Sequence, residues 1–338
     1  MNVLLTGGAG YIGSHTAVVL SKLGYQIVLY DNFSNSSEAE LNQIEKLCGH
    51  RIPWVRGDVR DTDALTNSLS VHKIQAVIHF AGLKAVGESV VKPIDYYANN
   101  VQGTISLLQA MNALDINKLV FSSSATVYGD PQYLPLDENH PISSTNPYGR
   151  SKLHIEEILK DVAKSSTQWR IACLRYFNPV GAHESGLIGE NPSGPPNNLM
   201  PYIAQVAAGQ RDVLSVFGND YPTTDGTGVR DYIHVMDLGE GHAAALSFLN
   251  QNNGWHAINL GTGKGYSVLE MVAAYEKGSG RKVPYQVIPR RAGDVAECFA
   301  NPQKARKLLN WTATRTLEEM CSSSWRFQQS LAKGFAND

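Results

Sequence analysis

The sequence predicts an α/β fold: a doubly wound parallel sheet with a smaller C-terminal α/β lobe. Three observations predict it. The chain opens on an apolar run, Val3-Leu4-Leu5-Thr6, that passes into a glycine-rich turn, Gly7 to Gly13, and then into a stretch of helix length. Runs of strand length recur at 26–30, 54–59, 76–80, 118–121 and 171–175, with room for a helix between most of them; that alternation belongs to parallel strands joined by crossovers. Beyond 180 the composition shifts to Gly, Pro and Asn, with Pro192, Pro195 and Pro196 close together, as expected of a loop-rich second region.

Composition narrows the class. The 338 residues suffice for one large domain or two ordinary ones. Apolar residues make up 43% and charged residues 18%, which is globular. Lys and Arg number 29 against 31 Asp and Glu, so the basic excess of a nucleic-acid binder is missing. Cys48, Cys173, Cys298 and Cys321 are far apart with no CxxC, and neither a disulfide framework nor a metal site is expected. No apolar run reaches membrane-spanning length, and no basic region precedes the first apolar stretch; no membrane partner and a cytoplasmic setting are expected.

The elements follow in order. Val3–Thr6 reads as a buried parallel strand. Gly7, Gly10 and Gly13 stand three apart, and a helix over Ser14–Leu23 is expected to end at Gly24. Such a turn lets backbone N–H groups approach a pyrophosphate at the positive end of the helix. The next strand, Gln26–Tyr30, runs into Asp31, about 20 residues from the turn, where a carboxylate accepts from a ribose 2′-OH. That carboxylate repels a 2′-phosphate, which favours NAD over NADP. A third strand over Trp54–Val59 places Asp58 at its end, where a helix N-cap is an equally good reading. Ala76–Phe80 is a fourth strand closed by Ala81-Gly82, and ligands of such sheets bind beyond the carboxyl ends of the strands.

Asn100–Leu114 carries Val101, Ile105, Leu108 and Met111 on one helical face, a core stripe. Lys118–Phe121 is a fifth strand ended by Ser122-Ser123-Ser124. Asn146-Pro147-Tyr148-Gly149-Arg150-Ser151-Lys152 then opens a helix, because proline suits a first turn. Tyr148 and Lys152, four apart, share a face. A phenol titrates near ~10, too high for a base at neutral pH, and a neighbouring ammonium lowers it. The pair is therefore a candidate proton-transfer device. A sixth strand, Ile171–Arg175, ends at Phe177-Asn178. Trp255–Leu260 has the pattern of a strand that returns to the sheet. The domain division is accordingly 1–180 with elements returning from about 230–262, followed by 181–338. His234 alternates with apolar residues and reads as structural; no HExxH or GxSxG is present.

The GxxGxxG spacing together with Tyr-x-x-x-Lys resembles the extended short-chain dehydrogenase/reductase family. His79 to Ser89, Phe121 to Gly129, Arg175 to Ala182, Asn197 to Met200, Gly228 to Val235 and Arg290 to Asp294 are similar to stretches of its UDP-glucose 4-epimerases, and the likeness runs from Met1 to about Trp311. The resemblance implies a tightly bound NAD that is regenerated each cycle. It places along the cofactor Gly7, Gly10, Tyr11, Ile12, Gly13, Asp31, Asn32, Asp58, Val59, Phe80, Ala81, Gly82, Lys84, Asn99, Ser122, Tyr148, Lys152 and Phe177. It places around a UDP-sugar Lys84, Ser124, Ala125, Thr126, Tyr148, Asn178, Asn198, Leu199, Phe217, Arg230, Arg291, Asp294 and Cys298. For Lys84 a solvated loop lysine, for Asn99 a helix cap, and for each arginine a surface salt bridge are the plainer readings.

The resemblance further implies catalysis by Tyr148, Lys152 and Ser124, with oxidation and re-reduction at sugar C4 through a 4-keto intermediate. The 181–338 lobe becomes the UDP-sugar-binding part. A homodimer is implied through the helices near 100–114 and 148–163. Related dehydratases carry an Asp-Glu pair where this chain has Ala125-Thr126, which disfavours dehydration. Cys298 falls where some epimerases place a tyrosine; a smaller side chain leaves room for an N-acetyl group, so UDP-GlcNAc and UDP-GalNAc become candidate substrates, while a small buried apolar role is the alternative. Other readings are a different sugar-nucleotide oxidoreductase of the family and a non-catalytic dinucleotide sensor.

Overall fold

The computed structural model describes residues 1–334 except 193, 195 and 292; Ala292 of the Arg290–Asp294 stretch thus lies outside the described residues. The chain supplies thirteen described strands: β1 (Asn2–Thr6), β2 (Gln26–Asp31), β3 (Trp54–Arg56), β4 (Ala76–His79), β5 (Lys118–Ser124), β6 (Arg170–Tyr176), β7 (Asn178–Val180), β8 (Leu214–Phe217), β9 (Val229–His234), β10 (Gly254–Leu260), β11 (Gly265–Ser267), β12 (Tyr285–Ile288) and β13 (Glu297–Cys298). Seven of them form one sheet in the order β10-β6-β5-β4-β1-β2-β3. Every pairing in it is parallel. The winding reverses between β1 and β4, which opens a crevice beyond their carboxyl ends.

Period two along the strands feeds two cores. Val3 and Leu5 of β1 join one cluster, with Val18 and Leu20 below and Leu238 and Leu246 beside them. Leu4 points the other way, into a cluster with Leu107, Met111, Ile155 and Leu159. The helices Tyr11–Lys22 and Val235–Phe248 cover the first face, and Thr62–Val71, Gly103–Ala113 and Pro147–Ser165 cover the second. The return of 254–260 to the sheet follows from its register on β6, Ile258 opposite Leu174 and Leu260 opposite Tyr176.

The second lobe is built from shorter pieces. β7, β11 and β13 gather around β9, and β12 pairs with β8. A separate core of Met200, Ile203, Val216, Tyr232, Met271, Tyr275 and Met320 fills it, under the helices Leu199–Ala207, Val268–Ser279 and Leu317–Ala332.

Four boundaries differ from expectation. The first helix starts at Tyr11, directly on Gly10, three residues earlier than Ser14. β3 ends at Arg56, so Asp58 lies past the strand. β5 continues through Ser124, in register with Tyr176; the serine triplet is strand, not turn. The helix expected from Asn100 is preceded by a wide π turn over Tyr97–Gln102. Its cause is Asn100, buried, whose amide donates to Leu83 O (3.0 Å) and Ser151 Oγ (3.0 Å) and accepts from Leu83 N (2.8 Å). A loosened helical turn of this kind re-aims one side chain.

Candidate active site

The glycine turn is shaped by contacts that only glycine permits. Gly7 has φ +67°, and a Cβ there would lie 2.7 Å from Ala81 N; a Cβ on Gly13 would lie 2.4 Å from Gly7 O. The turn therefore touches the end of β4 and its own helix with bare backbone, leaving amides of the Tyr11–Lys22 helix start available to an anion. Asp31, buried, braces it: Oδ2 accepts from Ala9 N (3.0 Å), and Oδ1 from Phe33 N (2.8 Å) and Ser36 Oγ (3.1 Å). Glu40 stands in the same region, its carboxyl pushed up to about 7 by burial, with the Asp31 charge adding. Two carboxylates here disfavour any further negative group, a 2′-phosphate included. Gln43 lines the same cleft with Oε1 buried and without a hydrogen-bond partner.

A cleft of about 750 Å³ opens along this turn. Of the residues assigned to the cofactor from sequence, Gly7, Gly10, Tyr11, Ile12, Gly13, Asp31, Asn32, Val59, Phe80, Ala81, Gly82, Lys84, Asn99, Tyr148 and Lys152 line it. Asp58, Ser122 and Phe177 do not line it. Asp58 is gripped by Arg60 Nε (2.9 Å) and Nη2 (2.7 Å), which holds its carboxyl down at about 2. Ser122 Oγ bonds to His242 Nε2 (3.1 Å), and Phe177 is buried with Val127, Tyr128 and Leu136. The sequence missed Tyr176, Leu187–Glu190 and Phe327, which also line the cleft. Phe327 lies beyond the stretch that carried the resemblance, and 187–190 lies in a segment read only as loop.

Tyr148 and Lys152 stand one turn apart on the Pro147–Ser165 helix, whose start is set by Asn146 accepting from Gly149 N (2.9 Å) with Pro147 next to it. Both side chains are buried. Lys152 Nζ donates to Ser122 O (2.8 Å) and lies 4.7 Å from the Phe121 ring centroid. Burial lowers the ammonium to about 8, opposed chiefly by the Glu156 carboxylate one turn further on. Burial raises the Tyr148 phenol, opposed by a hydrogen bond from Ser124. This reverses the expected lowering by Lys152: the ammonium is turned to a strand carbonyl, and desolvation dominates. Ser124 Oγ accepts from Thr126 N (3.2 Å) and Thr126 Oγ1 (3.0 Å). With its acceptor side occupied, its own proton is directed to the phenol.

Behind this group runs a buried network. Glu156 accepts from Ser123 Oγ (2.5 Å) and from Arg175 Nε (3.0 Å) and Nη2 (2.6 Å). Arg175 Nη1 donates to Tyr128 OH (3.2 Å), which donates to Asn259 Oδ1 (2.6 Å). The network ties the helix of Tyr148 and Lys152 to β5, β6 and β10.

The second-lobe residues form separate groups. Arg291 stacks on Phe217 (4.6 Å to the ring centroid) and pairs with Asp294 (Nε to Oδ2, 2.9 Å). Arg230 on β9 lies in register with Cys298 on β13 and donates to Val229 O (2.8 Å). Cys298 and Ala125 each pack against the Phe177 cluster; burial pushes the Cys298 thiol up to about 11. Asn178 on β7 pairs with Tyr232. Leu199 packs on the second-lobe core. Asn198 Nδ2 donates to Glu190 Oε1 (2.7 Å), which also takes Lys84 Nζ (3.0 Å). His234 is buried, with Nδ1 accepting from Met236 N (3.1 Å) and Nε2 bonded to Ser323 Oγ (3.1 Å), and burial lowers it to about 3. Among the described residues no three His, Cys, Asp or Glu side chains converge as a metal site.

Comparison with known proteins agrees with this geometry. The family model described as GDP-mannose 4,6 dehydratase matches residues 4–324. A UDP-glucose 4-epimerase of Bacillus subtilis (strain 168) is 57% identical over 335 residues, 99% of each chain. The crystal structure of UDP-glucose 4-epimerase from Bifidobacterium longum in complex with NAD+ and UDP has a TM-score of 0.96 and 50% identity, covering 99% of this chain and 100% of that one. The enzyme from Stenotrophomonas maltophila, with bound NAD and formylated UDP-arabinopyranose, has a TM-score of 0.97 at 48% identity and 99% coverage of both chains. A glycine cradle, a braced aspartate and a buried Tyr-Lys-Ser group on one sheet, together with these relatives, place the chain in the UDP-glucose 4-epimerase family of extended short-chain dehydrogenases/reductases.

Proposed function

We infer that the protein interconverts UDP-galactose and UDP-glucose, with NAD as its cofactor. The observation that carries this is the single cleft in which the glycine cradle and Asp31 meet the buried Tyr148 and Lys152. The cradle fits a dinucleotide, because backbone approach is enforced at Gly7 and Gly13. When bound, NAD supplies a reversible hydride acceptor for sugar C4 and a positive charge that favours the Tyr148 phenolate.

The chain's own residues do the rest. The glycine turn, with Tyr11 and Ile12, would hold the pyrophosphate; Asp31 and Asn32 would take the adenosine ribose; Val59 would border the adenine. Phe80, Ala81, Gly82, Lys84 and Asn99 complete the cofactor wall. Tyr148, as phenolate, takes the proton of the 4-OH as the 4-keto sugar forms, with Ser124 bridging sugar oxygen and phenol. Lys152 would hold the nicotinamide ribose. Asn178, Asn198, Leu199, Phe217, Arg230, Arg291 and Asp294 keep the UDP fixed while the keto sugar turns about its phosphate linkage, which is a use of remote binding energy. Tyr148 then returns the proton. Ala125 and Thr126 supply no acid–base pair beside the sugar, so the cycle ends in epimerisation and not in loss of water.

Purified protein given UDP-galactose without added NAD is expected to form UDP-glucose with no net NADH. Stoichiometric NADH release would instead identify another sugar-nucleotide oxidoreductase.

Finer features belong to the same reading. Cys298, a small side chain against the Phe177 cluster, leaves space for a C2 N-acetyl group, so UDP-GlcNAc and UDP-GalNAc are also interconverted; turnover of neither above background ends that claim. The NAD part is taken as 1–180 with elements returning from about 230–262, and the UDP-sugar part as 181–338. A homodimer forms through the helices near 100–114 and 148–163, where the neighbouring Val90, Val91 and Ile94 are 63%, 80% and 80% exposed; light scattering that reports a single-chain mass would refute it. No described helix is long and apolar enough to cross a membrane, and a cytoplasmic setting suits the cofactor and substrate.

A further inference from the structure

The segment between β7 and the Leu199–Ala207 helix contributes more to the cleft than its sequence suggests. Leu187, Ile188, Gly189 and Glu190 line the wall facing the glycine turn. The C-terminal helix pins them there: a Cβ on Gly189 would lie 2.4 Å from the Phe327 ring, and one on Gly186 would lie 2.9 Å from Ser330 Oγ. Glu190 is held on this pinned wall with its side chain 10% exposed. A single oxygen, Oε1, accepts both Lys84 Nζ (3.0 Å) from the loop after β4 and Asn198 Nδ2 (2.7 Å) from the start of the Leu199–Ala207 helix. Its charge also reaches the turn itself, since the Tyr11 phenol is raised by burial and additionally by Glu190.

Lys84 lines the cleft, and Asn198, one residue past the lining Asn197, is the expected substrate contact. One carboxylate oxygen thus joins a cofactor-side donor to a donor expected to serve the substrate. A lysine and an amide that already serve a buried carboxylate cannot give the same N–H groups to a diphosphate, and two anions at hydrogen-bond distance from one donor repel each other.

We propose that Glu190 is an internal competitor for the substrate's diphosphate: a nucleotide diphosphate binds by taking the Asn198 amide away from Glu190, so the carboxylate sets substrate affinity and release. This rests on the reading that Asn198 contacts the UDP moiety. An anion that weakens ground-state binding raises KM and favours product release, which matters for an enzyme whose substrate and product share the same UDP handle.

The test is calorimetric titration of the NAD-containing enzyme with UDP, for wild type, Glu190→Gln, Glu190→Asp and Asn198→Ala, at low and at physiological salt. Glu190→Gln is expected to bind UDP about threefold to tenfold more tightly, with the gain shrinking as salt screens the lost repulsion. Glu190→Asp keeps the charge and is expected to stay near wild type. Asn198→Ala is expected to weaken binding. Unchanged or weaker binding by Glu190→Gln, alongside weakened Asn198→Ala, overturns the competition while leaving Asn198 as a substrate contact. Unchanged binding by Asn198→Ala removes that contact and the proposal with it. If Glu190→Gln fails to fold, as judged by lost NAD absorbance, the salt dependence of Glu190→Ala answers the same question.

Discussion

The two walls of the cleft are made in different ways. The first-lobe wall is mostly backbone: a turn whose glycines touch Ala81 N and their own carbonyls, fixed by Asp31 and by the strands of one parallel sheet. The second-lobe groups expected to meet a substrate are instead side chains outside that lining, and their donors already have acceptors within the chain. Arg291 is paired with Asp294, Arg230 with Val229 O, and Asn198 with Glu190. The backbone wall suits a group that stays, because its geometry cannot relax. Under the proposed reading the side-chain groups suit a ligand that comes and goes, because each of their bonds can be exchanged for one to a phosphate or ribose.

The sharpest break of that contrast is at Tyr148. Tyr148→Phe is expected to lower kcat by about 10²–10⁴-fold while the ratio of absorbance near 260 nm to that near 280 nm shows NAD retained; a variant near the wild-type rate would remove Tyr148 from the reaction. Next comes the buried pair beneath it. Glu156→Gln leaves the Arg175 guanidinium, 3% exposed, without its counter-charge and is expected to cost about 3–5 kcal/mol in urea unfolding, far more than any surface pair. Arg291→Ala, on the exchangeable wall, is expected to weaken UDP binding by about tenfold and leave NAD content unchanged; loss of NAD instead would show that the two walls are not separable.

The smallest effect is in pH. Lys152 is held at about 8 by burial, so its ammonium is lost as pH rises through 8, and kcat is expected to fall there with unit slope. Lys152→Met is expected to lack that limb. The linked stability has the opposite sign. The unfolded chain keeps this proton up to its ordinary value near ~10.5, so the Lys152 contribution to stability rises between about 8 and that value. Chemical unfolding at two pH values in that window checks it.

How far each wall was legible follows the same division. The glycine spacing, Asp31 and the proline-led start of the Tyr148 helix are local patterns, and sequence reading located all three. The main strands were legible because buried parallel strands run as apolar blocks. The π turn at Tyr97–Gln102 was not, since its cause, Asn100 bonding Leu83 and Ser151, lies in residues distant in sequence. The wall at 187–190 and Phe327 escaped notice because one is irregular chain and the other an ordinary apolar helix position; only their packing makes them part of the cleft. β7, β11 and β13 have two or three residues each, too few for any periodicity to show.

The strand Gly254–Leu260 has a consequence for how the molecule comes into being. It closes one edge of the sheet that begins at Asn2, yet it is made only after the chain has passed through β7, β8 and β9 of the second lobe. During synthesis β6 waits with an open, apolar edge for some eighty residues, and its partner arrives from across a lobe that has its own core. Long-range closure of this kind slows folding and leaves a transient sticky strand. A fragment ending near residue 180 would keep every residue of the glycine cradle and still present that unfinished edge, so the nucleotide-binding half is not a module that can be cut free.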